Sequence, residues 1–98
     1  MMLKLGDTIK LKTMKEITGG WIISPGSGMY VDGNEYTYEM SKWGGCIGRV
    51  ILIASNSKVI VNFTGATDEI SCCCHPNWLE LQNRAGEVIL SEEVMSLI

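Results

Sequence analysis

The sequence lacks any long apolar run. Its longest, Val50–Ala54, is far shorter than the roughly 20 residues that a membrane-spanning helix requires. The first residues reach the charged side chains of Lys4 and Asp7 at once and contain no apolar core of the kind found in secretory signal peptides. We therefore expect a protein with no membrane-embedded part that works in the cytoplasm.

Positive charge and histidine are also scarce. Eight Lys and Arg residues against eleven Asp and Glu residues give a net charge of −3, whereas phosphate contacts need clustered basic side chains. Lys4, Lys10, Lys12 and Lys15 do lie close together in sequence, so a nucleic-acid-binding small barrel is an alternative. The single imidazole, His75, has no third group at fixed spacing to orient it as a base. We expect no enzymatic activity and no cofactor.

The four cysteines lack the spacing of a disulfide framework. Cys72, Cys73 and Cys74 are consecutive, so we expect reduced thiols that pack as small apolar side chains. A zinc site built from Cys46, Cys72, Cys74 and His75 would have enough ligands. Structural zinc sites, however, use short Cys-x-x-Cys turns that direct both sulfurs to one point. A zinc-stabilised domain is therefore a second alternative.

The sequence does contain several short patterns typical of β-strands, with alternating apolar and polar residues or runs of β-branched residues. They are Thr8–Lys12, Cys46–Ala54, Lys58–Phe63 and Ile70–Cys74. An Asn56-Ser57 turn joins the middle two, and Pro76 predicts one 3₁₀ turn. Asp32-Gly33 predicts a tight hairpin within a long Gly-rich loop, residues 13–35. Five or six short strands separated by turns predict an all-β fold, a small barrel.

The order of these segments resembles a known family. The relevant segments are Lys4–Leu11 with its Gly-Asp turn, Tyr36–Gly45, Gly48-Arg49-Val50, Val59–Phe63 and Pro76–Glu80. They resemble the small SH3-like barrel proteins common in bacteriophages and prophages, which are similar to the SH3-type repeats of mind bomb ubiquitin ligases. The resemblance implies a non-enzymatic, phage- or prophage-encoded module that binds segments of partner proteins. Cys72–Cys74 departs from the family, which has an aromatic-rich strand there.

Aromatic side chains provide the candidate binding surface. We predict an aromatic, mildly acidic groove that binds a peptide or a host protein surface, made of Tyr30, Tyr36, Tyr38, Trp43, Glu35 and Glu39. Tyr36 and Tyr38 share a face if residues 36–38 are extended. The alternative is that Trp43 and Trp78 fill the two ends of a small core.

The chain is expected to divide into a barrel, residues 1–82, and a C-terminal extension, residues 83–98. In the extension, Val88–Leu90 predicts a strand and Ser91 caps a following helical turn. The many apolar residues of this tail must cover the barrel, a partner or a second copy of the chain. A homodimer that forms through the tail is therefore one expectation.

Overall fold

The structure, a computed structural model, describes residues 2–85 and confirms a fold made mostly of β-strands. The elements in chain order are β1 (Thr8–Leu11), α1 (Met14–Thr18), β2 (Gly28–Val31), β3 (Asn34–Thr37), α2 (Tyr38–Ser41), β4 (Ile47–Ser55), β5 (Lys58–Thr64), β6 (Glu69–Cys74), a 3₁₀ turn (Pro76–Trp78) and β7 (Leu79–Asn83). Neither helix in this part of the chain has the length or the apolar character to span a lipid bilayer. The predicted tail strand and helical turn lie outside the described residues.

Five strands form one antiparallel sheet in the order β6-β5-β4-β1-β7, and β2 pairs with β3 separately. The first strand therefore lies between β4 and the last described strand. The sheet is open within residues 2–85, since β6 and β7 form its two edges and share no ladder. A closed barrel is thus not what these residues form.

The core lies on the inner face of this sheet and follows from the alternation in sequence. Val59, Val61 and Phe63 of β5 are buried while their neighbours are not. Gly48 of β4 pairs with Phe63, and a Cβ atom at Gly48 would lie only 2.7 Å from the Phe63 ring. Glycine at this position therefore allows the Phe63 ring to pack against the backbone of β4.

The predicted Asp32-Gly33 hairpin is confirmed as β2 and β3. Both turn residues have positive φ angles, 52° and 82°, as a two-residue turn of this kind requires. Two side chains tie the hairpin to the main sheet. Asp32 Oδ2 accepts a hydrogen bond from Trp78 Nε1 at 3.2 Å, and Asn34 Nδ2 donates to the Ser57 carbonyl at 2.6 Å. The hairpin therefore packs against the sheet instead of extending into solvent.

The prediction of one long loop over residues 13–35 was wrong, because α1 lies within it. Thr13 caps this helix: its Oγ1 accepts from the Glu16 N–H at 3.3 Å, and Glu16 Oε1 accepts from the Thr13 N–H at 3.2 Å. Gly19 ends the helix with φ 75°. This capping box was readable in the sequence, but a five-residue helix is too short to show an apolar period.

Asp7 joins the beginning of the described chain to its end. Its fully buried carboxylate accepts hydrogen bonds from the Lys4 N–H at 2.8 Å, the Ala85 N–H at 2.9 Å and the Arg84 guanidinium at 3.2 Å. The same Arg84 group also donates to the Met2 carbonyl at 2.6 Å. Three donors satisfy a charge that would otherwise be unfavourable to bury.

Candidate functional site

A groove separates the β2–β3 hairpin from strand β6. We call it the β6 groove; its volume is about 460 Å³. Four consecutive β6 residues, 70–73, line one side, and Tyr30 and Glu35 of the hairpin line the other. Residues on a single face of a strand would alternate, so four in succession show that the groove runs along the edge of β6.

That edge of β6 is unpaired in the part of the chain that the structure describes. The ladder of β6 runs only to β5, from Val59 opposite Cys74 to Thr64 opposite Glu69. Edge strands present backbone N–H and C=O groups that are available to another strand. The β6 groove therefore combines a free strand edge with a space beside it.

Tyr30 and Glu35 lie opposite each other in the hairpin and project from the same face. Tyr30 is 75% exposed, so its ring offers a large contact area beside the groove. Lys58, at the start of β5, also lines the groove. Its positive charge offsets that of Glu35, so the groove is less acidic than the sequence alone indicates.

Tyr36, another of the predicted contact residues, belongs to the core instead. It is fully buried and packs edge-on against Trp78, with 5.5 Å between ring centroids. Burial, together with the nearby Cys74 and Cys72 thiols, raises the pKa of Tyr36 to about 12. Its hydroxyl has no hydrogen-bond partner within residues 2–85. The condition for a shared face with Tyr38 is not met, since β3 ends at Thr37 and α2 begins at Tyr38.

The other three predicted contact residues do not line the β6 groove. Tyr38 and Glu39 lie on α2, where Lys42 lies 5.2 Å from the centre of the Tyr38 ring and 3.4 Å from the Glu39 carboxylate. Trp43 is half-buried against Phe63, with ring centroids 6.0 Å apart. Trp78 is buried, as the core-filling alternative predicts. Of the six predicted residues, the structure brings only Tyr30 and Glu35 to one groove.

Cys46, Cys72, Cys74 and His75 do not come together as a zinc site within residues 2–85. No group of three or more His, Cys, Asp or Glu side chains within residues 2–85 is placed to hold a metal ion. Burial raises the pKa of Cys72 to about 11 and raises that of Cys74 further, which keeps both thiols protonated at neutral pH. His75 Nδ1 instead accepts a hydrogen bond from the Asn77 N–H at 3.0 Å and caps the 3₁₀ turn.

The sequence alone did not predict the β6 edge or Lys58 as parts of the site. The pairing of Tyr30 with Glu35, in contrast, could have been predicted from the sequence. A two-residue turn at Asp32-Gly33 fixes the register of its strands, so Tyr30 must lie opposite Glu35 and Met29 opposite Tyr36. Applied further, that register would have placed Tyr36 on the opposite face of the hairpin from Tyr30. No comparable local signal brings β6 beside the hairpin.

Comparison with protein-family models, with curated proteins and with solved structures finds no match to this chain. The function proposed below is therefore supported by the geometry of the chain itself.

Proposed function

We propose that this protein is a non-enzymatic interaction module that binds an extended segment of a partner protein in the β6 groove. The observation that carries the proposal is the unpaired edge of β6 beside the exposed Tyr30 ring. An added peptide strand would hydrogen-bond to the β6 backbone, while its side chains would contact the hairpin. Backbone pairing would supply affinity, and Tyr30 would supply selectivity.

Tyr30 is the expected centre of binding energy. Tyrosine offers a large contact area with few rotatable bonds, and such residues dominate binding hot spots. The opposite charges of Glu35 and Lys58 would favour a peptide that carries both an acidic and a basic residue.

The finer assignments belong to the same proposal. We propose that the sheet is an SH3-like barrel that is open between β6 and β7, supported by the position of β1 between β4 and β7 and by the 3₁₀ turn that leads into β7. On the family resemblance alone, we propose that the module is encoded by a phage or prophage and works in the cytoplasm of the host cell.

The test is selection of peptides from a random display library on the immobilised full-length protein, followed by affinity measurement. Tyr30→Ala should weaken binding of the selected peptides at least about tenfold, as expected for a hot-spot aromatic. The matched control, Tyr38→Ala, should leave affinity unchanged because Tyr38 lies outside the groove. N-methylation of alternate peptide amides should abolish binding, since it removes the donors that pair with β6.

Equal affinity of the wild-type protein and Tyr30→Ala would overturn the groove assignment. Tolerance of N-methylation at every position would show that the peptide does not add as a strand. A labelled single-stranded oligonucleotide, titrated at low and high salt, serves as the competing ligand. Tight oligonucleotide binding that falls steeply with salt, without any selected peptide, would favour a nucleic-acid-binding barrel instead.

A further inference from the structure

Three consecutive apolar side chains are exposed on the second half of β4. Ile51, Leu52 and Ile53 have 48%, 53% and 39% of their surface accessible. The shift in the ladder between Val50 and Leu52 places Leu52 opposite Ile60 and Ile53 opposite the buried Val59, so Leu52 and Ile53 project from opposite faces of the sheet. This half of β4 therefore exposes apolar side chains on both faces of the sheet, which a covering segment could bury.

The same half of β4 is also paired on only one side in the described residues. The ladder with β1 ends where Thr8 pairs with Arg49, and the last backbone contact beyond it is from the Gly6 N–H to the Val50 carbonyl, at 2.8 Å. From residue 51 to residue 55, β4 pairs with β5 alone. Exposed apolar side chains and a strand edge without a second ladder partner therefore coincide, and Met2 and Leu3 lie beside the Ile53 end of it.

Residue 85, where the described chain ends, lies close to the start of the exposed half of β4. Ala85 donates its N–H to Asp7, and a Cβ atom at Gly6 would lie 3.2 Å from the Ala85 side chain. Strands β4 and β7 are both antiparallel to β1, so they run in the same direction. Residues 84 and 85 therefore extend past the start of β1, toward the exposed half of β4.

The chemistry and length of residues 86–98 fit this surface. Seven of these thirteen residues are apolar: Val88, Ile89, Leu90, Val94, Met95, Leu97 and Ile98. The five-residue step from Val50 to Ser55 spans about 17 Å of strand, whereas thirteen residues can reach about 43 Å. The segment can therefore cover the whole exposed half of β4.

We propose that residues 86–98 dock on Ile51, Leu52 and Ile53 of the same molecule and complete the sheet on the open side of β4. The proposal is independent of the β6 groove, which lies on another edge of the sheet. In this proposal the apolar tail covers β4 of its own chain and not β4 of a second copy.

The test compares amide hydrogen exchange in the full-length protein and in a triple variant, Val88→Asp, Ile89→Asp and Leu90→Asp. Exchange over residues 51–55 should rise at least about tenfold in the variant, while β5 and β6 keep their protection. Leu52→Asp, the reciprocal change, should raise exchange within residues 86–98. Ile22→Asp is the control: Ile22 is 84% exposed, lines a depression with Ser27 and Met29, and its substitution should change neither region.

Unchanged exchange over residues 51–55 in the triple variant would overturn the proposal. The molar mass, measured by light scattering, distinguishes docking within one chain from docking on a second copy. A single chain of 10.8 kDa is expected for the wild-type protein. A dimer that the triple variant converts to monomer would show that the tail docks on a second copy, and would refute docking within one chain.

Discussion

Replacing Tyr36 with phenylalanine removes one oxygen atom from the core and leaves the ring in place. The Tyr36 ring is fully buried and makes an edge contact with Trp78, which phenylalanine retains. The hydroxyl, in contrast, has no hydrogen-bond partner within residues 2–85. The substitution therefore isolates the free-energy contribution of a single buried polar group.

We expect Tyr36→Phe to stabilise the protein at pH 7. Burial of a hydroxyl without a hydrogen bond is unfavourable by about 1–3 kcal/mol, and the variant avoids this penalty. A gain of about 1 kcal/mol in the free energy of unfolding corresponds to a rise of roughly 4–8 °C in Tm for a domain of this size.

The difference between the two proteins should widen at alkaline pH. Burial raises the pKa of Tyr36 in the folded protein to about 12 from its ordinary value of 10.0. The unfolded chain therefore loses the phenolic proton first, and the wild-type protein loses stability as pH rises from 10 to 12. By pH 11 this adds about 1 kcal/mol to the difference, and the variant lacks the effect because it has no phenol.

Urea unfolding followed by tryptophan fluorescence at pH 7, 9 and 11 measures both effects. Cys72, whose pKa burial raises to about 11, titrates in both proteins and cancels in the comparison. A loss of more than about 1 kcal/mol in the variant at pH 7 would show that the hydroxyl has a partner. A pH-independent difference would refute the raised pKa.

Three further substitutions test the fold through the free energy of unfolding, measured by urea denaturation. Asp7→Ala should destabilise by about 2–4 kcal/mol, because three donors lose their buried acceptor. Gly48→Ala should destabilise by about 1–3 kcal/mol, because the added Cβ would lie 2.7 Å from the Phe63 ring. Asp32→Ala should destabilise by about 1–2 kcal/mol, because it removes the acceptor for Trp78 and places alanine at a φ of 52°.

For each of these substitutions, one result would contradict the expected loss of stability. An unchanged unfolding midpoint in Asp7→Ala would mean that the carboxylate does not hold residues 84 and 85 in place. Full stability of Gly48→Ala would show that the Phe63 ring can move away. Asp32→Asn is the matched control, since asparagine tolerates positive φ and retains an acceptor oxygen; a loss equal to that of alanine would refute both contributions.

Local signals predicted much of the sheet. The β4–β5 hairpin, the Asp32-Gly33 turn and the 3₁₀ turn at Pro76 are encoded within a few neighbouring residues, and the structure confirms all three. The short α1 was missed because a helix of five residues carries only its caps as a signal. Closure of a barrel depends on the relation between β6 and β7, which no local pattern in the sequence determines.

The candidate site was harder to predict because it depends on approach between distant segments. Tyr30 and Glu35 were chosen for their chemistry, and the groove beside them exists only because β6 lies next to the hairpin. Tyr36 was misplaced because an aromatic residue suits both a contact surface and a core. Only the register of the hairpin distinguishes these two roles.

The pairing of β1 with β7, the last described strand, has a consequence for synthesis on the ribosome. Ile9 pairs with Leu81, so β1 cannot acquire its second neighbour until almost the whole described chain has emerged. At roughly 5–20 residues per second, the nascent chain spends several seconds with β1 incompletely flanked. Chaperones that bind exposed strands therefore have their best opportunity during translation, before β7 leaves the exit tunnel.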